Sequence, residues 1–149
     1  MSFISILQGG KAAKQLGTYN KNLADRDASI IRQERDQAWN FYEKFEQPKF
    51  DKTAEQIRDQ LTVSYLKSGV TMEGTPMEAF IDQDYELKTD AEILKFNAVN
   101  AKSRSENAAL MRETEGMLAQ WEGKLKKQQS YYDAGQSLLT TGATVYGAT

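Results

Sequence analysis

The sequence predicts an all-α protein, a long antiparallel helical hairpin with its turn near residues 69–75 and its first helix kinked near Pro48, assembling into an oligomer. Three observations predict it. Apolar residues recur three or four positions apart along most of the chain, the spacing of one helix face and not the two-residue alternation of a strand. A dense set of helix-stop and helix-start residues falls between two such stretches. The only prolines among 149 residues, Pro48 and Pro76, stand where a helix restarts or begins.

The elements follow in order. Residues 1–17 form an N-terminal segment whose apolar patch, Phe3, Ile4, Ile6 and Leu7, has no preceding basic region and runs into Gly9-Gly10, a poor secretory signal. Residues 18–68 carry the first helix, with an apolar stripe of Tyr19, Leu23, Ile30, Ile31, Ala38, Phe41, Tyr42 and Phe45. The stripe resumes at Phe50, Ala54, Ile57, Leu61 and Tyr65. Between the two halves Pro48 lacks an amide hydrogen and crowds the preceding turn, so the helix kinks or restarts at Gln47-Pro48, with Asp51 and Thr53 available as caps.

The turn is the sharpest local signal. Gly69, followed by Val70, suits the left-handed residue that ends a helix. After Gly74, Thr75 supplies an N-cap, Pro76 a first-turn proline and Glu78 the capping-box partner. The second helix spans 76–130 with Met77, Phe80, Leu87, Ala91, Leu94, Ala98, Ala101 and Ala108 on its face, alanines that favour close helix approach. Gly116 and Gly123 weaken its later part, each by roughly 1 kcal/mol against Ala. Residues 131–149 form a charge-poor tail, whose part from Ser137 to Thr149 is small, uncharged and faintly strand-like.

Two helices of about 50 residues would each run about 75 Å, one elongated domain over 1–149. Two narrow seams cannot bury Trp39, Phe41, Phe45, Phe80 and Trp121 together, so sister copies or other proteins must cover the remainder. A hairpin also brings both ends of the chain together, and both are charge-poor: residues 1–10 carry no charged side chain and residues 128–149 only Asp133. Phe3, Ile4, Leu7, Leu138, Leu139, Val145 and Tyr146 are therefore candidate membrane or partner contacts, since uncharged side chains enter apolar surroundings at less cost than Lys or Glu. A terminus packed on a partner accounts for the same composition. No stretch reaches the 17–25 apolar residues, roughly, of a spanning helix.

Composition removes several chemistries. With no Cys and no His, the chain offers no thiolate nucleophile, no histidine acid–base pair and no ordinary zinc site. The balance of 19 basic and 21 acidic residues gives no general attraction to phosphate backbones. Asp25 with Asp27, Asp82 with Asp84, and Glu113 with Glu115 are two apart, on different sides of a helix, and read as solvated faces, as do Glu34 and Arg35. Gly116 to Gly123-Lys124 has the wrong spacing for a phosphate loop. No enzyme, cofactor or metal is indicated. Lys124, Lys126 and Lys127 read either as helix-end cations or, with Trp121, Tyr131 and Tyr132, as a contact to nucleic acid or lipid headgroups.

The order of features resembles a family. Asn20-Lys21-Asn22-Leu23-Ala24-Asp25-Arg26, Ile31-Arg32-Gln33-Glu34-Arg35, Leu61 to Val70, Gly74-Thr75-Pro76-Met77-Glu78-Ala79-Phe80, Ala91 to Asn97 and Trp121, ending in a Gly/Ala/Ser/Thr-rich C-terminus, are similar to the small internal core proteins of short-tailed bacteriophages. The resemblance covers most of the chain and is one of overall pattern. It implies a homo-oligomeric internal virion protein, packaged inside the capsid near the portal with other internal virion proteins and portal or tail components. It implies ejection into the host cell envelope, where the protein helps form a conduit for the genome, with transient contact to host membrane and phage DNA and with no catalysis of its own. A purely structural virion adaptor and a coiled-coil scaffold with no viral link are the alternatives.

Overall fold

In the computed structural model, residues 3–69, 71 and 73–146 are described, with side chains through residue 140. Every element among them is helical: α1 (Phe3–Phe41), a five-residue π turn (Tyr42–Glu46), α2 (Gln47–Lys67) and α3 (Thr75–Tyr146). The two long helical arms, α1 through α2 and α3, pack against each other. By its contacts the chain divides into two compact units, Met1–Arg32 with Asn107–Thr149, and Gln33–Glu106.

Two boundaries differ from the sequence expectation. The N-terminal segment is part of α1, which begins at Phe3, not near residue 18. The tail is not strand-like: α3 continues through it to Tyr146. The Thr-rich composition that suggested a strand is accommodated locally, because the Thr140 hydroxyl donates to the Gln136 carbonyl at 3.0 Å, a bond that turns the side chain back onto its own helix. Val70 and Gly147–Thr149 lie outside the described residues.

The unit of residues 33–106 has part of the core that hydropathy spacing anticipates, while Ala38, Phe41, Phe45, Met77 and Ala101 of the expected stripes are exposed. Tyr42, Ala54 and Leu87 are buried. Phe50, Ile57, Leu61, Tyr65, Phe80, Ala91, Leu94 and Ala98 are half-buried along the same seam. Arg58 Nε donates to Asp84 Oδ1 at 2.6 Å, and Arg35 pairs with Glu106, so these charges brace the arms across the seam. Asp84 and Arg35 therefore hold helices together where the sequence suggested plain solvated faces.

The unit of residues 1–32 and 107–149 is built differently. Its buried positions are Gly10, Gly17, Ala24 and Ala28 on α1, and Ala109, Gly116, Gly123, Ser130 and Ala134 on α3. Ala28 and Ala109 are fully covered, while Tyr19 and Ile30, expected on the inner stripe, are largely exposed. The reason is backbone approach. A Cβ placed on Gly17 would meet the Ala119 carbonyl oxygen at 2.6 Å, and one on Gly123 would meet the Ala13 carbonyl at 2.6 Å. Gly116 and Gly123 thus let α1 and α3 approach closely, set against the weakening that intrinsic propensity assigns them. Arg32 grips Glu113 with two bonds, 2.5 and 3.1 Å, at the edge of the same seam.

Pro48 lies in the first turn of α2, and the backbone stays helical through the π turn that precedes it. The Gln47 amide donates to the Tyr42 carbonyl, five residues back, which defines the π turn. Pro48 has no hydrogen for the Lys44 carbonyl and its ring crowds that turn; the wider turn immediately before it is the local response.

Candidate functional site

The turn residues are placed as their chemistry requires, with one shift. Gly69 takes φ +69° and follows Ser68, whose amide closes α2 on the Ser64 carbonyl at 3.1 Å. Gly74 takes φ +67°, and its carbonyl accepts from the amides of Met77 and Glu78 at 3.0 and 3.1 Å. The N-cap position is therefore Gly74, one residue before the expected Thr75. Thr75 and Pro76 occupy the first turn of α3, with Glu78 as its acidic residue. This site sets where the arms reverse.

The candidate contact residues of the chain ends fall in one unit. Ile4, Leu138 and Leu139 are exposed, and Phe3 and Leu7 are half-buried. Val145 and Tyr146 lie on α3, with side chains outside the described residues. Among the described residues no helix is long and apolar enough to cross a membrane.

A groove that sequence reasoning did not single out lies beside the π turn, lined by Arg35, Trp39, Tyr42, Ala98, Ala101 and Lys102. Trp39 and Tyr42 stack at 5.4 Å with a 39° tilt, and the Lys102 ammonium sits 4.3 Å from the Trp39 ring centre. Phe41 and Phe45 make a second ring pair at 5.4 Å on the exposed side of the same turn. The available signal was the density of aromatics directly before a proline. The groove offers aromatic faces and a cation, with Glu46 and Ser105 also on its wall. No group of three His, Cys, Asp or Glu able to hold a metal occurs among the described residues.

The lysine cluster is not at a helix end. α3 runs on to Tyr146, well beyond Lys127, and a helix terminus acts only within its last turn, so dipole stabilisation does not account for it. Lys127 instead lies 5.6 Å from the Tyr131 ring centre.

Two carboxylates are perturbed. The Arg32 guanidinium bonded to Glu113 holds that carboxyl below the usual glutamate range, against a smaller opposing effect of burial. Asp84 is likewise lowered, first by its bond to Lys88 and then by Arg58. The Glu113 shift comes from an ion pair between helices, and the Asp84 shift first from Lys88 on its own helix and then from Arg58 across the seam.

One face of α3 leaves large apolar side chains uncovered. Met111, Leu118, Trp121, Leu125, Tyr132 and Leu139 on α3 are exposed, although the seam beside them is closed. Compared with protein-family models, with curated proteins and with solved structures, the chain matches none of them.

Proposed function

We propose that this chain is an internal virion protein of a short-tailed bacteriophage, packaged near the portal and ejected to help build a conduit for the genome across the host envelope. The observation that carries the reading is the surplus of large apolar side chains left outside two closed helical seams, from Phe41 and Phe45 to Met111, Trp121 and Leu139. Monomeric proteins rarely leave such surface open, whereas a subunit of an assembly requires it. The resemblance in sequence order and the charge-poor ends support the same role.

In this reading copies assemble, the first arm bends at the π turn before Pro48, and Phe3, Ile4, Leu7, Leu138 and Leu139 meet partner proteins or lipid once assembled. The protein acts by contact and needs no cofactor. Mass spectrometry of purified phage particles, followed by fractionation of infected cells within minutes of adsorption, tests it. The chain is expected in particles and then in the envelope fraction. Absence from particles overturns the virion role; presence in particles with none in the envelope leaves a structural adaptor and overturns the conduit.

A further inference from the structure

α3 repeats one chemical pattern on the side that faces away from α1. Met111, Leu118, Leu125, Tyr132 and Leu139 follow one another at intervals of seven residues. Each stands two residues beyond a seam position (Ala109, Gly116, Gly123, Ser130, Ser137), about 200° around the helix. The inner series is small and packed; the outer series is large and open, with exposures of 66, 54, 41, 79 and 75% in the order given.

We infer that this outer face is a second coiled-coil seam, and that its occupant is the same face of another copy of this chain, parallel and in register. The inference deepens the assembly part of the proposed function and does not depend on the phage setting.

Periodicity gives the first argument. A helix that holds its packed seam in line at 3.5 residues per turn holds every other seven-residue series in line as well, so supercoiling against α1 keeps the outer stripe straight. A bilayer surface does not demand a strict heptad over four repeats; a helical neighbour does.

Area gives the second. The five residues, with the exposed Leu110, Met117, Trp121 and Tyr131 beside them, leave on the order of 1,000 Å² uncovered per copy, against about 800 Å² per partner in a stable complex. The stripe is also wider than the two positions per heptad of a two-stranded seam, which suits more than two copies.

Charge gives the third and fixes the orientation. Along the outer series and its Leu110–Tyr131 side the one charge is Lys124, while the opposite flank, which carries Gln129, also carries Glu115 and Glu122. An antiparallel pair centred on the stripe sets Lys124 against Lys124. A parallel pair sets it beside Gln129 of the neighbouring copy, with no like charges opposed.

The test uses the full chain, which has no cysteine of its own. Sedimentation equilibrium is expected to show self-association, and Leu118→Glu with Leu125→Glu to weaken it by about tenfold or more while circular dichroism retains the helix signal. The milder Leu118→Cys keeps the seam apolar and is expected to form a disulfide dimer on oxidation; Leu16→Cys, exposed on α1, is the control and is expected to form no disulfide dimer. A wild-type chain that remains monomeric at 100 μM, on the order of a weak dimer's dissociation constant, overturns the inference. So does equal crosslinking at both cysteines, or association seen only with phosphatidylglycerol vesicles, which would make lipid the occupant. None of these outcomes bears on whether the chain is found in phage particles, so the two proposals fail separately.

Discussion

Gly17→Ala tests whether α1 and α3 approach through their backbones. The added Cβ falls 2.6 Å from the Ala119 carbonyl oxygen and 3.3 Å from the Cα atoms of Gln120 and Gly123. A carbon–oxygen contact settles at about 3.3 Å or more, so the helices must separate locally by roughly 0.7 Å. Nothing in the path is a side chain that can swing aside. A gap of that size forfeits about a quarter to a half of the dispersion energy of the atoms lining it, and overpacking of this kind costs about 1–3 kcal/mol. Against this, alanine gains roughly 1 kcal/mol of helix propensity over glycine. Gly9→Ala supplies the reference, since a Cβ there meets nothing within 4 Å and only the propensity gain remains. The two variants should thus differ by about 1–3 kcal/mol, a separation of about 2–12 °C in midpoint for a chain of this size. Thermal unfolding followed at 222 nm, at one low protein concentration, measures it. If Gly17→Ala gains as much stability as Gly9→Ala, the seam is not closed by backbone contact and the packing described for this unit is wrong.

Four further outcomes follow from other parts of the molecule. Glu113 and Asp84 have folded values below their unfolded ones, so the stability they contribute is complete above the unfolded range, about pH 4, and is lost as pH falls through the lowered folded values. The midpoint of the wild type should drop between about pH 5 and 3, Glu113→Gln should show a smaller drop, and parallel curves would refute the linkage. Gly69→Ala forces a side chain into φ +69° and should cost about 1 kcal/mol in urea unfolding; an unchanged midpoint would mean the turn is not in that conformation. Pro48→Ala restores an amide hydrogen for the Lys44 carbonyl, so hydrogen exchange across Tyr42–Glu46 should slow; unchanged exchange would detach the π turn from the proline. Lys102→Met removes the cation over Trp39 and should shift the tryptophan emission without unfolding the chain, whereas an identical spectrum would place the ammonium elsewhere.

The two units were not equally legible. For residues 33–106 the spacing of Phe50, Ala54, Ile57, Leu61 and Tyr65 against Phe80, Leu87, Ala91 and Leu94 marked the seam, because large apolar residues are both the signal in a sequence and the filling of that core. In the other unit the signal and the filling part company. The residues that pack are Gly10, Gly17, Ala24, Gly116 and Gly123, which carry little hydropathy and, as glycines, count against a helix. Tyr19 and Ile30 drew the eye and lie outside. A seven-residue recurrence of small residues was the mark to look for, at 10, 17 and 24 and again at 109, 116, 123 and 130.

The contact sites follow the same division. Gly69 was readable from the left-handed conformation that ends a helix, and the Gly74 cap was missed by one residue because Thr75 is the better side-chain cap in isolation. Glu113, Asp84 and Arg35 were assigned to solvated faces, since the cations that pair with the two carboxylates, Arg32 and Arg58, and the Glu106 that pairs with Arg35, lie far along the chain and no local spacing reveals them. The tail misled through composition: threonine and valine favour strands on a pleated surface, yet here the helix is carried onward by the same heptad that packs Ser130 and Ala134.

The central claim is that α3 bears two seams, a small one closed within the chain and a large one closed between chains. Maleimide labelling rates across single-cysteine variants, compared at low and high protein concentration, address both at once. Ala109→Cys, Ser130→Cys and Ala134→Cys should label slowly at every concentration, while Met111→Cys, Leu118→Cys, Leu125→Cys and Tyr132→Cys should label fast when dilute and slowly when concentrated. Fast labelling of the second set at all concentrations would contradict closure between copies, and fast labelling of the first set would contradict the fold itself.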